Sequence, residues 1–190
     1  TIESLHEHNE RERVSQVVQR LKAGQSVALV SDAGTPLVSD PGAPLVQGAI
    51  AAGVEVVAVP GPCAAIAALT IAGLPADRHA FEGFLPARPA ARRKALEGLA
   101  AETRTLVFYE APHRLVETLE DLAATFGADR PAAVVREITK RFERAYRAPL
   151  GELARLAAGD ADMRRGEIVI VVGGAAAADP ASIDADRLLR

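Results

Sequence analysis

Apolar positions follow two rhythms along the chain. Val14, Val17, Val18 and Leu21 recur at helical spacing behind Asn9 and Glu12, a pair that predicts a capping box, and Gly24 is placed to end the last turn. Val27–Val30 and Val54–Val59 are continuous β-favouring runs, the pattern of strands covered on both faces. Around them, Pro44–Ala52 and Cys63–Ala72 read as helices stopped by Gly53 and by Gly73 with Pro75. The resulting order, α, β, α, β, α, predicts a parallel sheet layered by helices. Residues 76–92 mix polar and aromatic side chains with Gly83, Pro86 and Pro89 and read as a domain crossing. Beyond it, Thr105–Tyr109, Ala132–Arg136 and Glu167–Val172 are predicted strands, and Pro149–Ala158 a short helix. Pro112–Phe126 is a predicted helix with Leu115, Leu119, Leu122 and Phe126 on one face and Gly127 after it. Ala175–Arg190, rich in Ala and Asp without periodicity, reads as a linker. The chain has no internal repeat.

Composition narrows the class. Hydrophobic residues are 49% and charged residues 25% of the 190, which disfavours disorder and coiled coil for the chain as a whole. No apolar run approaches the ~20 residues of a spanning helix, so no membrane partner is expected. The single cysteine, Cys63, excludes an internal disulfide framework and a polythiolate zinc site, and points to a reducing, cytoplasmic compartment. Net charge is only −3, so a nucleic-acid partner would have to bind a local basic patch. All but three of the 22 basic residues are Arg.

Candidate chemistry gathers at predicted strand ends, where open parallel sheets bind ligands. Ser31–Gly42 combines two glycines that admit a ligand to the backbone with Asp32 and Asp40, which suit a cation or hydroxyl groups; no Gly-Lys-Ser/Thr follows, so it is not a Walker loop. Pro60–Ala65 is a second strand-to-helix turn, whose free helix N–H groups suit a carboxylate. Cys63 has no charged neighbour to activate it and is not read as a nucleophile. Tyr109–Arg114 places Glu110, His113 and Arg114 where packing alone requires none of them, and Arg136–Glu143 leaves its strand with alternating charge. Each segment also has a plain reading: an Asx turn, a tight βα turn, an acid complementing a helix dipole, a solvated face. His6, Glu7 and His8 look like a metal pair, but adjacent positions and no third ligand leave no metal site expected.

Taken together and in order, these motifs resemble the tetrapyrrole methylase superfamily, and within it the bacterial branch that methylates ribose on small-subunit ribosomal RNA. The resemblance runs from Leu5–Glu10 through Val30–Pro36, Pro60–Ala65, Glu82–Pro86 and Phe108–Arg114 to Arg136–Lys140 and Gly166–Val169. It implies an α/β fold of two αβα domains, residues 1–77 with a mostly parallel sheet and residues 78–174 with a mixed sheet, then a linker over 175–190. It also implies that a first strand precedes Thr1 and that a small domain follows Arg190. A homodimer and S-adenosylmethionine held between the domains are implied too. Carried onto this sequence, cofactor contacts fall at Asp32, Ala33, Gly34, Thr35, Cys63, Ala64, Tyr109, Glu110, Glu137, Ile138, Thr139, Glu167 and Ile168. Corrin and porphyrin methylases usually have Thr at the place of Cys63, and the Ser31–Thr35 loop departs from them in the same direction, both favouring RNA.

A ribose hydroxyl needs its proton removed, and Glu110, His113, Glu137 and Lys140 are the candidate bases. Histidine ordinarily titrates closest to neutrality, which favours His113, with Glu110 as a counter-charge to the sulfonium. Arg114, Arg136, Lys140 and Arg141 are expected to hold RNA phosphates, with Arg88, Arg92, Arg93 and Lys94 as a further rim. The alternatives are carbon methylation of a tetrapyrrole and a cofactor-binding module without catalysis.

Overall fold

The computed structural model describes residues 2–6 and 9–176, and the chain divides by its contacts into two compact units, one up to Cys63 and one from Ala64 on. In the first unit α1 (Glu10–Lys22) packs on α2 (Ala43–Ala51). Val17, Leu45 and Ala49 are buried there, and Gly48 lets the helices approach: a Cβ on it would sit 3.0 Å from Val14. Gly24 and Gly53 end the two helices in left-handed backbone, as their sequence positions predict. The capping box does not form. Asn9 is itself helical in backbone, its Oδ1 accepts from His6 N–H at 2.9 Å, and Glu12 accepts from Gln16 instead.

The two valine-rich runs correct the expected sheet of the first domain. Val27–Val30 and Val54–Val59 belong to no strand among the described residues, and Val30 and Val59 are 80% and 90% exposed. A β-favouring run supplies side chains that suit a pleated surface, whereas a strand also needs a ladder partner, which is not a local property.

The second unit is the α/β sheet the sequence describes. Five strands, β1 (His79–Phe84), β2 (Thr105–Glu110), β3 (Pro131–Arg136), β4 (Arg144–Pro149) and β5 (Ile168–Val172), lie in the order β1-β2-β5-β3-β4. β1 and β2 pair in parallel and the other neighbours antiparallel, so the sheet is mixed. On one face, Leu106, Phe108, Val134, Ile168, Ile170 and Val172 share a buried core with residues of α4 (Pro89–Glu97), α5 (Leu115–Phe126) and α6 (Leu150–Gly159). Alternate residues such as Val107, Ala133 and Val171 are also fully buried, and α3 (Ala64–Ala72) contacts β2, β3, β4 and β5 through the small side chains Ala65, Ala68 and Ala72. Because α3 packs on this sheet, the division by contacts falls before the boundary expected at residue 77.

Two strands are absent from the sequence reading, and both are sheet edges. β1 sits inside the stretch read as a crossing, and β4 (Arg-Ala-Tyr-Arg-Ala-Pro) is polar along its exposed side. An edge strand with charge and proline carries no apolar run to announce it. Among the described residues, no helix is long and apolar enough to cross a membrane. The linker expected over 175–190 lies outside the described residues from 177 on, as do Glu7 and His8 of the His-Glu-His group.

Candidate active site

In the first unit the loop 31–42 is held by its own polar side chains in a strained path. Leu37 and Ser39 adopt left-handed backbone with φ of 71° and 61°, beside Gly34 and Gly42 at 74° and 130°. Each such non-glycine residue costs about 1–3 kcal/mol and persists only where its surroundings impose it. Ser31 hydroxyl donates to the Asp40 carboxylate, and Glu10 accepts from Gly42 N–H at 2.7 Å. Thr35 hydroxyl donates to the Pro62 carbonyl at 2.8 Å, tying this loop to the turn before Cys63. Asp40 and Thr35 are therefore occupied structurally. Asp32 is exposed and has no hydrogen bond or ion pair among the described residues. A Cβ on Gly34 would meet nothing nearer than Pro62 O at 4.0 Å and one on Gly61 nothing within 4 Å, so backbone is open to a ligand at both turns. Ala33 is exposed in the same loop, and Cys63 is half-buried at the end of the unit.

In the second unit, sheet register gathers the other candidates at one end. β2 and β3 run the same way and finish together, and Ile168, the first residue of β5, lies between Glu110 and Arg136. Tyr109, Glu110, Glu137, Glu167 and Ile168 thus share the carboxyl edge of β2 and β3. Ala64 opens α3 nearby: the Tyr109 hydroxyl accepts from Ala65 N–H at 3.3 Å, taking one of the helix-start donors read as free. The Tyr109 ring meets Phe81 and Phe84 edge-on, at centroid distances of 4.8 and 5.6 Å. A register shift between Phe81 and Gly83 brings both phenylalanines to the same ring.

The candidate bases separate cleanly. Glu110 is 2% exposed and both its oxygens are engaged: it accepts from Ala111 N–H at 2.7 Å, Thr118 hydroxyl at 2.6 Å and Arg114 Nη2 at 3.2 Å. That removes Glu110 from proton abstraction and from a counter-charge role in the open. Arg114, which also donates to the Leu85 carbonyl at 2.7 Å, is likewise not free for phosphate. Glu137 Oε1 accepts from Glu167 N–H at 2.9 Å and Lys140 Nζ at 3.1 Å, and these, the backbone donor first, hold its carboxyl below the usual range. Burial opposes charge on Lys140, but bonds to Glu167 and Glu137 outweigh it and push its ammonium above the usual value. Lys140 therefore carries its proton at neutral pH and is corrected from base to cation. His113 is exposed in the 3-10 turn Pro112–Arg114 and makes no hydrogen bond among the described residues. Ile138 is half-buried, and Thr139, with φ of 64°, gives its N–H to Glu143 at 2.7 Å.

The basic rim needs one correction. Arg92 is 2% exposed and bound to Asp121 at 2.6 Å between α4 and α5, so it cannot face RNA. Arg88 and Lys94 are exposed, Arg93 is 54% exposed, and Arg141 is exposed over the Phe142 ring. Arg136 Nε donates to the Arg165 carbonyl at 3.1 Å. Thr118 went unread in the sequence, although a hydroxyl among Leu115, Leu119 and Leu122 on the buried stripe was its signal.

The family model described as Tetrapyrrole (Corrin/Porphyrin) Methylases matches residues 1–154. The chain is 52% identical over 171 residues to Ribosomal RNA small subunit methyltransferase I of Pseudomonas aeruginosa, covering 90% of this chain and 61% of that protein. To the protein of the same name from Xylella fastidiosa it is 54% identical over 184 residues, covering 97% and 67%. The chain thus spans about three fifths to two thirds of the length of these relatives. Its fold is similar to uroporphyrin-III C-methyltransferase from Thermus thermophilus complexed with S-adenyl homocysteine, with TM-score 0.56, 23% identity, and coverage of 87% and 73%.

Proposed function

Because the chain belongs to the tetrapyrrole (corrin/porphyrin) methylase family, we propose that it transfers a methyl group from S-adenosylmethionine to a ribose 2′-hydroxyl of small-subunit ribosomal RNA. The observation that carries this reading is the 52–54% identity, over 90–97% of the chain, to proteins named for small-subunit ribosomal RNA methylation. The residues present fit the cofactor. Within the first unit, Gly34 and Gly61 leave backbone bare and Asp32 has an unengaged carboxylate for an amine or hydroxyl. When bound, S-adenosylmethionine supplies an electrophilic methyl on a sulfonium.

The chain's own work is then positioning and proton removal. His113 accepts the ribose proton, being the candidate base whose side chain is exposed and unengaged among the described residues. Arg88, Arg93, Lys94 and Arg141 carry exposed charge for phosphates. The reading includes the assembled small subunit as partner, a homodimer, a cytoplasmic location, and the division at 1–77 and 78–174. The test is transfer of labelled methyl by the full-length protein to unmethylated small subunits and, separately, to a tetrapyrrole. Label in RNA ribose supports the proposal; label in tetrapyrrole alone, or in neither, overturns it.

A further inference from the structure

We propose that Arg114 and Thr118 are positioning residues for His113, a role that rests on the methyl-transfer reading above. His113 sits in a three-residue turn between the last residue of β2, Glu110, and the first of α5, Leu115. Its ring is exposed and makes no hydrogen bond among the described residues, so what the fold fixes is the backbone from which the ring projects. The residues that follow His113 are fastened back to the carboxylate that precedes it. Arg114 Nη2 donates to Glu110 Oε2 at 3.2 Å and Thr118 hydroxyl to the same oxygen at 2.6 Å, closing the strand end onto the first turn of α5 across His113. Arg114 also donates to the Leu85 carbonyl at 2.7 Å, and its own N–H bonds Ala111 O at 3.0 Å.

The placement of these polar groups is costly without a role. Glu110 and Thr118 are 2% and 0% exposed, and a buried ion pair is often no more stable than apolar residues filling the same space. Thr118 lies on the stripe of Leu115, Leu119 and Leu122, where valine would fill the same volume, and Glu110 is its hydrogen-bond partner. What the pair and the hydroxyl confer is a single geometry for the turn.

The test uses the full-length protein and compares Thr118→Val with Thr118→Ser, each with His113 present and in a His113→Ala background, after thermal unfolding confirms folding. With His113 present, Thr118→Val lowers kcat about tenfold with KM for the subunit within about twofold, and Thr118→Ser restores kcat to within about twofold. In the His113→Ala background Thr118→Val adds less than about twofold, because both changes act through one group. The backbone order parameter of His113 falls from about 0.85 toward 0.6 in Thr118→Val. Arg114→Lys, which keeps charge but loses the fork geometry, reports the same way if Thr118→Val does not fold. Equal losses in both backgrounds, an unchanged kcat or an unchanged order parameter overturns the proposal. Wild-type protein that transfers no methyl to small subunits overturns the functional reading, and the order parameter then still decides whether the turn is positioned.

Discussion

Gly166→Ala should destabilise the second unit through a single neighbour, Glu137. Gly166 has φ of 75°, where an alanine costs about 1–2 kcal/mol. A Cβ there would overlap the Cγ, Cδ and Oε1 of Glu137, so the carboxylate must leave its place. It then loses the Glu167 N–H bond at 2.9 Å, worth about 1.5–3 kcal/mol for a charged acceptor. The Lys140 contact adds little, since that side chain is 41% exposed and screened. Together the loss is about 2.5–5 kcal/mol, or roughly 10 °C in Tm for a chain of this size. Thermal unfolding followed by circular dichroism measures it, in a cycle with Glu137→Ala. Once Glu137 is truncated, the cost of Gly166→Ala should drop to the backbone part, about 1–2 kcal/mol, a coupling of about 2 kcal/mol. The same cost in both backgrounds, to within about 0.5 kcal/mol, would refute the reasoning.

Arg92→Met should cost about 1.5–3 kcal/mol in urea unfolding by removing the nearer of the two arginines on the half-buried Asp121, Arg93 staying at 3.4 Å. Arg93→Ala, by contrast, should leave stability within about 0.5 kcal/mol and make the salt dependence of RNA binding shallower by about one charge. The Glu102 carboxyl is held to about 2, below its ordinary 4.5, first by the Arg104 side chain. A depressed carboxyl contributes stability above pH 4.5 that disappears as pH falls toward 2, so Glu102→Gln should flatten acid unfolding in that window. If wild type and variant lose stability in parallel there, the contact is not contributing. His113→Ala should lower methyl transfer by about 10²–10⁴, with Tm unchanged because the side chain is exposed; activity within about twofold of wild type would exclude it as the base.

The central strands were legible because each is a short apolar run: Leu106–Phe108, Ala132–Val135 and Ile168–Val172 are buried on both faces. The helix ends were legible because Gly24, Gly53, Gly73 and Gly127 adopt the positive φ that glycine permits. β1 and β4 were not, since an edge strand is recognised by its partner and not by its composition. The motif positions also survived the comparison with the fold: Tyr109, Glu110, Glu137 and Glu167 come to one sheet edge. Their roles did not all survive, because a charged residue reads the same in sequence whether it faces solvent or a buried partner.

By itself, then, the order of apolar runs and glycine stops determined most of the helices, the inner strands of the second unit and the turns where chemistry gathers, all of them properties set within a few neighbouring residues, whereas the equally apolar runs Val27–Val30 and Val54–Val59 belong to no strand among the described residues. Tertiary structure decided which charges remain available. Thr118 closes on Glu110 across eight residues, Arg92 on Asp121 across 29, and Glu137 takes the N–H of Glu167 across 30. Each contact engages a predicted catalytic or binding side chain, Glu110, Arg92 or Glu137, with a partner inside the fold, and leaves His113 and Asp32 as the unengaged groups of their turns among the described residues. The physical reason is that desolvation and pairing depend on what the fold brings alongside, which no local pattern records.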